Sequence, residues 1–298
     1  MIGVRSREFA LVLAIGLFWG LNWPAVKTIL GEVPPWTLRA IGLGTGAILL
    51  ALVARAYGER LSVSPGEVIK LSLAGLFSIF GFNLLAAFGQ LHTATSTATI
   101  VAFTMPMWAA LLSVYFLNDR ITAIRLAALA LGLAGLAVLL FDDFAGIVAR
   151  PIGVVYMLGA AVSWALGTVL LKRFAWTIGT LSRATWMVGL SALPMIAGAF
   201  LFEDPLALSV PSTLVLWVFA YHIVFPMVIC HAAWVSLVGR LPASVAAIGT
   251  LLIPVVGVYS SALLLGEPIS WLKSSALILV LSSIGLTFLK TPGPRDTA

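Results

Sequence analysis

No carboxylate stands deep inside a long apolar run of this sequence: all eleven Asp and Glu side chains fall in polar stretches or within a few residues of a run's end. A proton-driven carrier keeps an acidic group in the membrane to relay protons, and a carrier of lipophilic cations keeps one to pair with its substrate, so both chemistries lack their usual part. Cysteine occurs once, at Cys230, which excludes an internal disulfide and any thiolate metal cluster. There is no GxxxxGK followed by Ser or Thr to cradle a nucleotide, and no HExxH to hold zinc. The three histidines, His92, His222 and His231, form no Ser/His/Asp set at one depth and have no metal-ligand spacing. No metal and no cofactor is expected, and an ATP-driven pump, a metalloprotease and a hydrolase all lack their residues.

What is present in excess is apolar surface. A chain of 298 residues that is 61% hydrophobic and 9% charged, with a mean hydropathy of +1.11, cannot hide its side chains in a water-facing globule and belongs in a bilayer. About 20 apolar residues cross the hydrocarbon core as a helix. Ten such runs are expected, at 9–29, 35–56, 69–90, 94–117, 124–141, 152–174, 181–202, 213–238, 243–265 and 271–290. The first carries Trp19, Trp23 and Pro24 and no small-residue cleavage site, so it reads as a retained helix. With ten spans, thirteen of the Lys and Arg residues lie on the side of both termini and four, Lys27, Arg39, Arg150 and Lys273, on the other. That bias puts both termini in the cytoplasm. The net charge of +6 is thus a matter of topology, and the scattered cations form no stripe for nucleic acid.

The chain is written twice. The stretch from Thr93 to Thr122 returns 148 residues later from Leu241 to Ser270, with Ser96 matching Ser244, Ala98 Ala246, Ile100 Ile248, Pro106 Pro254 and Ser113 Ser261, and Asp119 meeting Glu267. A second echo pairs Trp19 and Lys27 with Trp164 and Lys172, 145 residues apart. Five spans per unit is an odd number, so the second unit must enter the membrane upside down. The expected fold class is therefore an all-α polytopic membrane protein, a 5+5 inverted repeat around a central cavity. Residues 1–141 form the first unit, 142–151 an external linker and 152–298 the second. Inverted repeats of this kind recur in secondary transporters, where the two halves open a central site to either face in turn.

Polar groups and prolines within the runs mark the candidate site. Pro24 frees the carbonyl of Gly20, with Trp19 and Asn22 beside it; Asn22 either receives a substrate amine or bonds a neighbouring helix. Trp164 repeats the aromatic, while Gly167 and Thr168 replace Asn22 and Trp23, so the site is asymmetric. Asn83 and Gln90 share a face of the third span, as packing contacts or as cavity lining. Pro106 frees the carbonyl of Ala102 in the fourth. The eighth holds Tyr221, His222, Pro226, Cys230 and His231. At nine residues apart, His222 and His231 point to opposite faces of an unbroken helix, so one at most looks into a given cavity unless Pro226 bends the span; His222 is the better functional candidate because its carbonyl is the one Pro226 frees, and the alternative is a satisfied core histidine. The expected cavity lining is Trp19, Asn22, Asn83, Phe103, Trp164, Tyr221 and His222, with Pro24, Pro106, Pro226 and Pro254 as kinks. Pairs at GxxxG spacing, Gly16 with Gly20 and Gly42 with Gly46, predict close helix packing.

Two five-helix halves, each with a Trp early in its first helix and a Pro in the middle of its fourth, followed by the turns Asn118-Asp119-Arg120-Ile121-Thr122 and Gly266-Glu267-Pro268-Ile269-Ser270, resemble the EamA family of the drug/metabolite transporter superfamily. The resemblance covers nearly the whole chain and is greatest to the YddG type, exporters of aromatic and other neutral amino acids. It implies a bacterial inner-membrane carrier with a basket-like central cavity, working as a monomer on small molecules. Asp119 departs from the family's usual Glu, at a turn. The rival readings are a multidrug exporter of lipophilic compounds and, in another class, a membrane-embedded enzyme acting on lipid. The first would favour a buried carboxylate, and the second convergent His and acidic residues at one interface.

Overall fold

The positions of proline, glycine and acidic residues fix where each helix starts and stops. The computed structural model describes residues 6–117, 123–142, 144, 151–233 and 243–289. In chain order the helices are α1 Ser6–Ile29, α2 Pro35–Ala56, α3 Pro65–His92 and α4 Thr95–Leu117. There follow α5 Ala123–Asp142, α6 Ile152–Arg173, α7 Thr180–Phe202, α8 Thr213–Ala233, α9 Ala243–Leu265 and α10 Trp271–Leu289. No strand occurs among the described residues. Six helices, α2, α3, α4, α6, α7 and α8, are long and apolar enough to cross a membrane, and shorter apolar helical stretches lie in α5, α9 and α10. This is a multi-pass membrane protein. Its outer surface carries large exposed apolar side chains such as Ile48, Leu201, Trp217 and Leu263, as a lipid-facing surface requires. The turn 118–122, the stretch 145–150 and the tail 290–298 lie outside the described residues.

Proline opens α2 and α3 at their first position, where its missing N–H costs nothing. Ser64 caps the start of α3: its hydroxyl accepts from the Glu67 N–H and lies within donating distance of the Glu67 carboxylate, both at 3.3 Å. Two glycines close helices in the left-handed region, Gly58 after α2 (φ 77°) and Gly266 after α9 (φ 68°), conformations that other residues adopt at a cost. Each is followed by a glutamate, and the reversal aims that glutamate at the start of another helix. Glu59 accepts from the backbone N–H of Leu181 (3.3 Å) and Ser182 (2.8 Å) at the start of α7. Glu267 accepts from Thr95 (2.6 Å) and Ser96 (2.8 Å) at the start of α4. Glu203, just past the end of α7, returns the first contact by accepting from Trp36 (2.9 Å) and Thr37 (2.7 Å) at the start of α2. So α2 and α7 pack antiparallel, each closed at its N-terminus by a carboxylate from the other's C-terminal end, where the first N–H groups have no helical partner and the dipole favours a negative charge.

A second pair of contacts obeys the 145-residue offset. Glu32 accepts from the N–H and hydroxyl of Ser212, both at 2.6 Å, and Glu67 accepts from the N–H and hydroxyl of Thr177, both at 2.8 Å. Positions 32 and 177 are equivalent under the offset, and so are 67 and 212: the same joint is built twice, with the carboxylate moved to the other partner. Lys27, the end of the Trp–Lys echo, donates to the carbonyls of Gln90 and Thr93 at the C-terminal end of α3, where a cation suits the dipole.

The GxxxG pairs pack as expected and choose the neighbours. Gly16 and Gly20 let α1 lie against Leu252 and Val256 of α9, where an added Cβ would come within 2.7 and 2.4 Å. Gly42 and Gly46 seat His222 and Met227 of α8 on α2, at 3.1 and 3.2 Å from such a Cβ. The interior of the bundle is apolar and aromatic around Trp23, Ala98, Phe103, Met157 and Ile253.

Candidate functional site

Four of the seven expected lining residues meet where α1 crosses α8. The Asn22 amide oxygen lies 2.6 Å from the Nδ1 of His222, the Tyr221 hydroxyl donates to the carbonyl of Phe18 at 2.8 Å, and the Trp19 indole donates to the carbonyl of Pro226 at 3.2 Å. Asn22 therefore bonds a neighbouring helix, one of its two alternatives. With the amide oxygen as acceptor, the Nδ1 of His222 carries the proton and Nε2 keeps a lone pair. His222 is 1% exposed and its Nε2 rests above Gly42. The other three residues lie elsewhere. Phe103 is buried and packs 6.5 Å from the Trp23 ring, Trp164 stands edge-on to Phe82 at 4.9 Å, and Asn83 donates to the carbonyl of Ile79 in its own helix. A groove between Ser72 and Phe80 of α3 and Leu190 and Pro194 of α7 contains none of the seven.

The prolines act in different ways. At Pro106 the helix stops: α-helix runs over Thr95–Ala102 and resumes at Met105, with Thr104 turned back onto the carbonyl of Val101. Such discontinuous helices are what transporter sites are commonly made from. At Pro24 and Pro254 the helix continues. Around Pro226 the winding changes to a π-helix over Ile223–Cys230, and α3 has a π-helix at the corresponding depth, Leu76–Gly81. Sequence reasoning missed both. Pro226 was a signal for the one; the other has no proline, and its exposed carbonyls are met by Ser163, which donates to Phe77 at 2.7 Å, and by Asn83. π-Segments concentrate at functional places in helices.

The π-segment also overturns the expectation that His222 and His231 face opposite ways. Its i→i+5 pattern winds fewer degrees per residue than an α-helix, and this brings both imidazoles to the α1 side. His222 touches Asn22, and His231 stands edge-on to Trp19 at 5.4 Å while its Nδ1 lies 2.9 Å from the carbonyl of Pro226.

Arg39 is a buried cation that the sequence reading misplaced, counting it among the loop cations. It lies inside α2, 4% exposed. It shares a face with Gly42 and Gly46, three and seven residues on, and that face carries His222 and Met227. Its electrostatic interaction with His222 fits this placement. The Nε has no hydrogen-bond partner. Arginine inside a membrane span is costly, up to about 3 kcal/mol at a span's centre on insertion scales and less near its ends, and Arg39 stands four residues into α2. The residue type and an apolar flank (Leu38, Ala40) were the available signal. The Oε1 of Gln90 and the hydroxyls of Thr95 and Thr97 are also buried without a partner, in a class of atoms that native proteins nearly always satisfy.

Comparison with known proteins bears on this arrangement. The EamA-like transporter family matches residues 7–141 and again 151–289, the two halves of the repeat. The chain is 29% identical over 299 residues to the uncharacterized transporter YvbV of Bacillus subtilis, covering 99% of this chain and 95% of that one. It is 25% identical over 290 residues to a protein of Escherichia coli named "Probable amino-acid metabolite efflux pump", covering 94% of each. A solved crystal structure with 21% identity superposes at a TM-score of 0.69, covering 96% of this chain and 98% of its own; it shows likeness of fold alone.

Proposed function

Because the chain belongs to the EamA-like transporter family, we propose that it is a secondary transporter that exports small metabolites, aromatic and other neutral amino acids of the YddG type, by alternating access. The observation that carries this reading is the polar cluster of Asn22, His222 and Arg39, set among three helices in a membrane interior. Asn and His bonded across two helices also serve packing, but a buried arginine with an unpartnered Nε is a group that a polar solute uses and packing does not. The relative named for amino-acid metabolite efflux supports the substrate class.

The architecture we propose has ten spans: five in residues 1–141, a linker at 142–151 and five in residues 152–298, the second unit inverted. The exchange of helix caps between α2 and α7, and of the Glu32 and Glu67 joints, supports inversion, because a parallel repeat would bring like ends together. Both termini face the cytoplasm of a bacterial inner membrane. Burial of Arg39 and Lys273 supports this topology, since it removes two of the four cations counted against the charge bias. Trp19, Asn22, Tyr221 and His222 line the pathway on one side, and Phe103, Trp164 and Asn83 on the other. The monomer is the working unit. A multidrug exporter of lipophilic cations fits less well, as an unpaired guanidinium repels a cation.

The test is counterflow of labelled L-phenylalanine and L-leucine in proteoliposomes containing only this protein. Saturable exchange is the expected result, and its absence for every neutral amino acid would overturn the substrate class.

A further inference from the structure

We propose that Arg39 is the carboxylate subsite of this pathway: its guanidinium, buried beside His222 with no counter-ion among the described residues, receives the carboxylate of the transported solute. The inference rests on the transporter reading and narrows it to solutes that carry a carboxylate next to an apolar body.

Two carboxylates that flank the N-terminal end of α2 are committed elsewhere. Glu203 caps the start of α2, but its two oxygens accept from Trp36 and Thr37, three and two residues before Arg39. Glu32 is held by Ser212. The Nε of Arg39 has no hydrogen-bond partner, and the residue is 4% exposed, so a donor of the fork is held inside the bundle unused. A planar, permanently charged fork of donors in that state is complementary to one kind of partner, a planar oxyanion accepted in two parallel hydrogen bonds.

The neighbourhood sets the orientation. Arg39 and Gly42 are three residues apart on α2, a rise of about 4.5 Å, and the imidazole of His222 covers Gly42. With Nδ1 engaged by Asn22, Nε2 is an acceptor. A zwitterionic head thus finds a cation for its carboxylate and, one turn deeper, an acceptor for its ammonium, while Phe219, whose ring lies 6.1 Å from that of His222, offers an apolar surface beside them. Gly42 is what makes room: a Cβ there would stand 3.1 Å from Nε2.

The experiment compares acids with their amides. In phosphatidylcholine proteoliposomes, which contain no anionic lipid, L-phenylalanine and L-leucine compete in counterflow, and L-phenylalaninamide and L-leucinamide are expected to be about 100-fold weaker, as for loss of one partner of a buried charge pair. 3-Phenylpropionate, which keeps only the carboxylate, competes. Arg39→Gln raises the half-saturation for phenylalanine by a similar factor and abolishes the preference for acid over amide, and Arg39→Lys keeps the preference with weaker binding. The acid–amide comparison uses the wild type, so it stands even where Arg39→Gln fails to fold. Amides that compete as well as acids, or a folded Arg39→Gln protein with unchanged half-saturation, would overturn the subsite and leave the transporter reading intact. Acid-selective, Arg39-dependent binding measured by calorimetry on protein that gives no flux would support the subsite and overturn the transporter reading. Neither flux nor binding would overturn both.

Discussion

Asn22 on α1 and His222 on α8 are joined by a 2.6 Å hydrogen bond between the amide oxygen and Nδ1, and this bond fixes which imidazole nitrogen is left to accept. It also ties the first half of the chain to the second at a depth where water does not compete. In Asn22→Ala the buried Nδ1–H loses its partner, a loss of about 1–3 kcal/mol. The expected outcome is a lower unfolding temperature in detergent together with a reduced rate of amino-acid counterflow. Trp164→Ala, which removes the ring packed on Phe82 and leaves the hydrogen bond alone, is expected to change affinity for aromatic solutes more than for leucine. Unchanged flux in both well-folded variants would rule out the lining proposed for α1 and α6.

Glu59 and Glu203 hold opposite ends of one antiparallel pair. The α2 helix has 22 residues and is about 33 Å long, so the two caps are far apart and share no partner. Removing either by Glu→Ala is expected to cost about 1 kcal/mol, the usual worth of an N-cap, and the double variant should show the sum. Thermal unfolding of the two single variants and the double variant gives the answer. A double variant much less stable than the sum would mean that the caps are coupled through a movement of α2 against α7, and the pair could then not be the rigid part of the bundle.

Much of this was readable beforehand, and the boundary has a physical cause. Helix positions followed from runs of apolar residues, because a membrane span needs about 20 of them; the ends did not, and the run expected from 69 begins at Pro65 behind the Ser64 cap. The GxxxG pairs predicted close packing, and Asn22 and His222 were singled out one by one. Their meeting was not readable, since it depends on how α1 crosses α8. The facing of His222 and His231 was misjudged because 100° per residue assumes an α-helix, and the backbone winds differently from Ile223 to Cys230. Arg39 was hidden by the same charge count that oriented the chain: four residues inside a helix start, it looked like a loop cation, and only the packing of α8 over Gly42 shows it buried. The carboxylates of Glu32, Glu59, Glu67, Glu203 and Glu267 looked like polar punctuation, and in three dimensions they fasten one half to the other.

Glu32 supplies a pH test at the membrane surface. The hydroxyl and amide of Ser212 hold its carboxyl below the ordinary value of 4.5. A carboxylate depressed in the folded state stabilises that state above its ordinary value, and the contribution is lost as pH falls through the lowered one. The unfolding temperature of the wild type should therefore exceed that of Glu32→Gln at pH 7. The difference is expected to shrink below pH 4.5 and then vanish. A constant difference down to the acid limit would show that the joint does not depend on the charge.

Topology has a direct test. The only cysteine, Cys230, is buried, so single cysteines placed at positions 145 and 298 in a Cys230→Ala background report cleanly. With the linker external and the C-terminus cytoplasmic, a membrane-impermeant maleimide added to intact cells should label position 145 and spare 298 until the cells are opened. The reverse pattern would invert the whole assignment and with it the direction in which Arg39 is first reached.

Energy coupling follows from which groups can carry a proton. No described span holds a carboxylate away from its ends, which leaves the histidines as the side chains that ordinarily titrate between pH 5 and 8. His92 closes α3 at its end. Of the two inside α8, sequence alone favoured His222; with both imidazoles on the α1 side, His231 is an equal candidate, although each has its Nδ1 fixed by a hydrogen bond, to Asn22 or to the carbonyl of Pro226. A histidine whose Nδ1 is fixed in this way is held in one arrangement and is poorly placed to relay a proton, and the expected behaviour is a facilitator that moves its solute down the solute's own gradient, with protons at most adjusting the rate. The measurement is uphill efflux of L-phenylalanine in proteoliposomes under an imposed pH gradient, with wild type beside His222→Gln and His231→Gln. No accumulation in any of the three is the expected result. Accumulation that needs the pH gradient and is lost in one variant would identify that histidine as the carrier and end the facilitator reading; accumulation that survives in both would place the proton on a group outside α8.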